Sequence, residues 1–134
     1  HILTLCTQSG LDMWCASCFY VFSLKDMEFY VMTSPDTRHG KLMTMASRVA
    51  GTIHHATRVV EEIKGIQFLG DATLLREDAA DRVKTLYFAR FPVARRHSGS
   101  IWRITPTELK LTDNSLGFGT KLYWHQSLPD NEAR

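Results

Sequence analysis

The chain opens with three short apolar runs divided by tight polar turns, and this punctuation limits what it can fold into. Ile2 to Thr7 is a β-branched and aliphatic run ended by Gln8-Ser9-Gly10. Met13 to Phe22 is rich in aromatics and ends at Lys25-Asp26, and Glu28 to Met32 makes the third run. Runs this short, joined by turns this tight, pair as neighbouring antiparallel strands. A meander over the first three strands is therefore predicted.

The pattern then changes. Thr33-Ser34-Pro35-Asp36-Thr37 reads as a helix start, with Ser34 as N-cap, Pro35 at the first position and Asp36 in the first turn. This short helix is expected to end near Ala46, with Leu42, Met43 and Met45 available for packing. Val49 to His54 and Ile63 to Leu75 read as strands, the second interrupted by Gly65 and Gly70, which mark a bulge or a close backbone approach. Glu77 to Phe91 is the clearest helix: Ala79, Val83, Leu86, Tyr87 and Phe91 share a face, acids open it, Arg90 closes it and Pro92 stops it. Ile101 to Ile104 and Leu109 to Thr112 are expected as separate strands around a Thr105-Pro106 turn, followed by a Gly117-Phe118-Gly119 loop and a last strand, Lys121 to Trp124. Seven or eight short strands with two inserted helices predict a mainly β (α+β) antiparallel barrel with flanking helices. A doubly wound α/β sheet is excluded, because strands and helices do not alternate.

Composition narrows the function class. The 134 residues are 44% hydrophobic and 22% charged, which is globular usage. The longest unbroken apolar stretch, Cys18 to Phe22, is far short of a membrane span. Sixteen basic against fourteen acidic residues give a net charge of +2, too little for the dense basic face of a nucleic-acid binder. Three cysteines are an odd, small number that argues against a secreted disulfide framework and for a cytoplasmic address.

Most candidate constellations fail on geometry. Cys15 and Cys18 are three apart on a strand, so they point to opposite faces and cannot share a metal or close a disulfide; small buried thiols are the plainer reading. His54-His55 likewise diverge, with no further ligand at chelating spacing, and His97 and His125 read as surface residues. No catalytic residue and no metal site emerge. The strongest signal is Thr33 to Lys41: a helix N-terminus suits an anion, Arg38 adds a planar fork, Thr33 and Thr37 add hydroxyls, and His39 adds a titratable donor. An ordinary capped helix with surface charges is the competing reading, and Asp36 fits an anion only if it points outward.

Several segments, in this order, resemble the pyridoxamine-phosphate-oxidase-like family of FMN-binding split barrels: Trp14-Cys15-Ala16, Arg38-His39, Gly65-Ile66-Gln67-Phe68-Leu69-Gly70, Arg90-Phe91-Pro92-Val93-Ala94-Arg95 and Thr112 to Gly119. The likeness is greatest to a small bacterial subfamily with no assigned reaction. The resemblance implies a Greek-key split β-barrel over residues 1–126, followed by a polar tail, 127–134. It implies that Met32, Thr33, Thr37, Arg38 and His39 hold the FMN phosphate and nearby ribityl oxygens, His39 standing where the family has lysine. It implies that the strand through Ser17, Cys18, Phe19 and Tyr20 passes under the isoalloxazine, and that Gln67 replaces the family's strand glutamine. Trp102, Lys121 and Trp124 are candidates for the residues that reach the flavin from a partner chain. Two functions follow from the resemblance: an FMN-dependent oxidoreductase acting on a small-molecule substrate or electron donor as a homodimer with flavin at the interface, or a non-catalytic protein that sequesters flavin or haem.

Overall fold

The computed structural model describes residues 1–97 and 99–127. Seven strands, β1 (Ile2–Ser9), β2 (Asp12–Ser23), β3 (Glu28–Met32), β4 (Arg48–His54), β5 (Lys64–Leu74), β6 (Ile101–Asp113) and β7 (Lys121–His125), pair antiparallel in the order β3-β2-β1-β4-β5-β6-β7. A further pairing of β3 with β6 closes the first six into a barrel and leaves β7 outside it. The spatial order β4-β1-β2-β3 is a Greek key. The chain is a split β-barrel with two flanking helices, α1 (Arg38–Met45) and α2 (Glu77–Arg90).

Alternation along each strand sends one set of side chains inward. Leu3, Leu5, Cys18, Phe29, Val31, Val49, Phe68, Trp102 and Ile104 meet in the barrel, and Phe29 stacks on Phe68 with ring centroids 5.3 Å apart. Each such side chain contributes about 1.5–3 kcal/mol on burial. A second cluster, Tyr30, Val83, Tyr87 and Ile101, fixes α2 to the outside of β3 and β6, and the Tyr87 hydroxyl donates to the Phe19 carbonyl at 3.0 Å.

Four expectations change. The Thr105-Pro106 turn does not exist, because β6 runs unbroken past it. The register with β5 slips between Leu69 and Gly70, so that Gly70 faces Pro106 and Leu69 faces Glu108, leaving Thr107 as the extra residue of a bulge. A proline in a central strand is tolerated at such a bulge, and Gly70 is required opposite it, since a Cβ there would lie 2.7 Å from the Thr105 carbonyl oxygen. The first helix begins at Arg38 with Thr37 as its cap, and Ser34 to Thr37 form the turn before it. Met45 is exposed, and Leu42 and Met43 do the packing. On α2 the buried face is Ala80, Val83 and Tyr87, with Leu86 exposed. The polar tail lies outside the described residues from 128 onward. Among those described, no helix is long and apolar enough to cross a membrane.

Candidate cofactor site at the start of the first helix

The segment between β3 and α1 is tied to β6 and the residue before it at one end and capped onto α1 at the other. Thr33 donates its N–H to the Ser100 carbonyl at 2.9 Å, and its own carbonyl accepts from the Trp102 indole at 3.2 Å. Thr37 then caps α1: its hydroxyl donates to the Ser34 carbonyl at 2.7 Å and accepts from the Gly40 N–H at 3.1 Å. Gly40 is obligatory here, since a Cβ would run into the Ser34 carbonyl oxygen and lie 2.8 Å from the Pro35 Cα. The fold thus brings three predicted residues together. His39 Nε2 lies 2.6 Å from the Thr33 hydroxyl and 3.3 Å from that of Thr37.

The Gly40 N–H is taken by the cap and the Lys41 N–H by the Thr37 carbonyl. That leaves the first-turn N–H groups of Arg38 and His39 to face an incoming acceptor. Burial holds the His39 imidazole below its ordinary value, which favours the neutral ring. Asp36 is exposed, as an anion site requires.

Arg38 is held apart from this group. Its Nη2 lies 2.6 Å from Asp12 Oδ1, and its guanidinium sits 4.1 Å from the Trp14 ring centroid. The pair is half-exposed, worth less than about 1 kcal/mol, and so is readily exchanged for a stronger acceptor.

The β2 residues divide between the two faces of the sheet. Cys18 and Tyr20 point inward, Cys18 into the core and Tyr20 against Phe29. Ser17 and Phe19 point outward, where Phe19 packs on Phe91 with centroids 5.2 Å apart. Ser17 begins a cross-strand row, Ser17-Thr4-Thr52-Gln67-Lys110, that runs over the outer face of five strands. Gln67 therefore shares a face with Ser17, three strands away. Lys121 lies in another row, its Nζ donating to Thr112 Oγ1 at 3.1 Å. Trp102, read from the resemblance as a residue that reaches a partner's flavin, is instead buried inside the barrel and bonded to Thr33.

Beside the Thr33 group opens a mostly apolar cavity of about 420 Å³, bounded by Phe19, Met32, Thr33, Tyr87, Phe91 and His97. Three of these wall residues were missed as site residues. Tyr87 shows in sequence only as part of the apolar face of α2, Phe91 as part of that face and of a segment that carries the resemblance, and His97 only as one of a basic cluster.

No family model matches the chain. It is 48% identical over 129 residues to a UPF0306 protein of Yersinia pseudotuberculosis serotype O:3 (strain YPIII), spanning 96% of this chain and 88% of that one. The chain belongs to the UPF0306 family. Among solved structures, this UPF0306 chain is similar to a haem binding protein from Mycobacterium smegmatis, with a TM-score of 0.78 at 14% identity over 92% of this chain and 52% of that one. It is also similar to an FAD-binding protein from Mesorhizobium loti, with a TM-score of 0.66 at 12% identity over 82% of this chain and 83% of that one. A candidate pyridoxamine 5'-phosphate oxidase from Listeria innocua gives 0.64 at 11% identity, over 82% and 86% of the two chains. At such identities the UPF0306 chain shares their fold.

Proposed function

We propose that this chain binds FMN between two copies of itself and acts as a flavin-dependent oxidoreductase on a small-molecule substrate. The observation that carries the reading is the meeting of Thr33, Thr37 and His39 at the start of α1, beside an apolar cavity walled by Phe19 and Phe91. The donor set fits the cofactor: the Thr33 hydroxyl, a ring nitrogen and first-turn N–H groups suit a phosphate, and flat apolar walls suit an aromatic ring system. Met32 and Thr33 border both parts. When bound, FMN would supply the hydride chemistry, while the chain binds, orients and excludes water. The side chains assigned to it are Thr33, His39 and Arg38 toward the phosphate, and Phe19, Ser17 and Gln67 on the outer face toward the ring and its neighbour. Thr37 holds the turn as its cap, because its hydroxyl proton is given to the Ser34 carbonyl. Lys121, bonded to Thr112 in another row, is assigned no part in the site, and Cys18 and Tyr20 support the strand from within.

The dimer rests on less apolar surface than the sequence suggests. Phe29, Tyr30, Phe68 and Trp102 are all absorbed by the monomer. Ile2 and Phe19, neighbours across β1 and β2, remain about half exposed, and Val93 more so. These are the residues a second copy would cover. Three free thiols suit the reducing cytoplasm.

A haem-binding protein is the second reading, favoured by His97, at the edge of the same apolar cavity, whose imidazole would be the group to hold the iron. The visible spectrum separates the two: a two-band yellow chromophore supports flavin, and a sharp Soret band supports haem. With FMN at about 100 times its Kd, linkage stabilises the fold by roughly 2.7 kcal/mol, a shift of several degrees in Tm. Riboflavin, lacking the phosphate, should shift it less. Equal shifts would remove the helix start as a phosphate site.

A further inference from the structure

Cys6 and Cys15 face each other directly across β1 and β2, on the outer face of the sheet. Their Sγ atoms are 3.2 Å apart, with the Cys15 S–H donating to Cys6. Directly opposed residues of an antiparallel pair have Cα atoms about 4.5–5.5 Å apart, within the separation a disulfide spans. Cys15 is exposed and Cys6 is partly buried, whereas Cys18 points into the core. The pair lies one outward position from Ser17 and Thr4, toward the β1–β2 turn, and takes no part in the cofactor site described above.

We propose that Cys6 and Cys15 form a redox pair, a dithiol that a peroxide converts into a cross-strand disulfide and that a small thiol restores. The exposed Cys15, as thiolate, attacks one oxygen of the peroxide. The O–O bond breaks, Cys15 becomes a sulfenic acid, and the other oxygen leaves as water once protonated. Cys6 then gives up its proton and its sulfur attacks the Cys15 sulfur. The S–S bond forms and hydroxide leaves, taking a proton to become the second water. Two thiols thus pass two electrons to one hydrogen peroxide, giving one disulfide and two waters. Burial, with the adjoining Cys15 sulfur, pushes the Cys6 thiol up to about 11, which suits it to the second step rather than the first. The strands are already paired at this position, so closing the bridge requires the two sulfurs to approach by only about 1.2 Å. Two thiols of a small reductant such as dithiothreitol reverse the step by exchange.

The test treats the intact protein with hydrogen peroxide, alkylates all free thiols in denaturant, and maps the peptides. The expected result is one alkylated cysteine, Cys18, a linked peptide pair carrying Cys6 and Cys15, and a mass lower by two hydrogens that dithiothreitol restores. In Cys6→Ser, dimedone should label Cys15, and in Cys15→Ser, Cys6 should stay unlabelled. Three alkylated cysteines after oxidation, a bridge that includes Cys18, or a bridge between two chains would overturn the proposal. The wild-type map decides without any variant. It also decides independently of the flavin reading, because the same bridge should form with or without FMN present.

Discussion

The two helices start in opposite ways. α2 opens at Glu77, whose φ of 52° is left-handed, with no side-chain cap at Arg76 and with Glu77 and Asp78 in its first turn. α1 has a hydroxyl cap, no acid in its first turn, and Thr33 and His39 alongside. Both helix ends carry the partial positive charge of aligned peptide dipoles. At α2 that charge is met by the chain's own carboxylates, which would repel an incoming anion. At α1 it is met by neutral hydroxyls and a neutral ring, which would welcome one. The difference lies in the side chains placed around each helix end.

The largest expected effect breaks α1's side of this comparison. Gly40→Ala drives a Cβ into the Ser34 carbonyl and the Pro35 backbone, so the capping turn must shift. Stability should fall by about 1–3 kcal/mol, read from denaturant midpoints, and flavin binding should be lost. Arg38→Ala comes next. It should weaken FMN roughly ten- to a hundredfold, measured by fluorescence titration, while stability changes by less than about 1 kcal/mol. Unchanged affinity would leave Arg38 with Asp12 and Trp14 alone.

A pH profile sharpens the role of His39. Burial depresses its folded value, so the unfolded chain takes up a proton that the folded chain refuses. Stability of the free protein should therefore decline as pH falls below about 6.5, by at most about 1.4 kcal/mol per pH unit, and His39→Gln should flatten that slope. Bound phosphate acts in the other direction by favouring the imidazolium, so wild-type FMN affinity should weaken as pH rises. The glutamine variant reports the phosphate's own ionisation near about pH 6. Matching affinity profiles in the two proteins would take His39 out of the site. The smallest effect belongs to α2: Asp78→Ala should cost about 0.3–1 kcal/mol and leave FMN affinity unchanged. A flavin defect there would erase the contrast between the two helix starts.

What sequence shows well is whatever depends on near neighbours. Strands β1 to β5 stand out as apolar runs between turn residues, and α2 as a periodic face between acids and proline. The opposed faces of Cys15 and Cys18 follow from strand alternation alone. What it hides depends on partners distant along the chain. Thr105-Pro106 looks like a turn until Gly70 is seen opposite it in a bulge. Thr37 displaces Ser34 as cap because the turn beneath it folds back over Gly40, a contact no local signal carries. Thr33, Thr37 and His39 are legible as a group because they lie within one turn of chain. Arg38 is not, since its partner Asp12 lies far back in the chain, at the start of β2. Cys6 is invisible as the partner of Cys15 for the same reason, until the β1–β2 register is known.

The seam between β3 and β6 also governs how the barrel is made. It joins Phe29 to Ile104 and Met32 to Ile101, segments about seventy residues apart, so its loop-closure entropy is met only once nearly the whole chain is available. During synthesis β1 to β5 can assemble as they emerge, β4 pairing back onto β1 and β5 onto β4, but β3 keeps an open edge until Ile101 to Ile104 arrive. Barrel closure should accordingly be the slow step of folding. Because Thr33 is bonded to Ser100 and Trp102, just beside that seam, the turn that leads into α1 can acquire its shape only in the same final step.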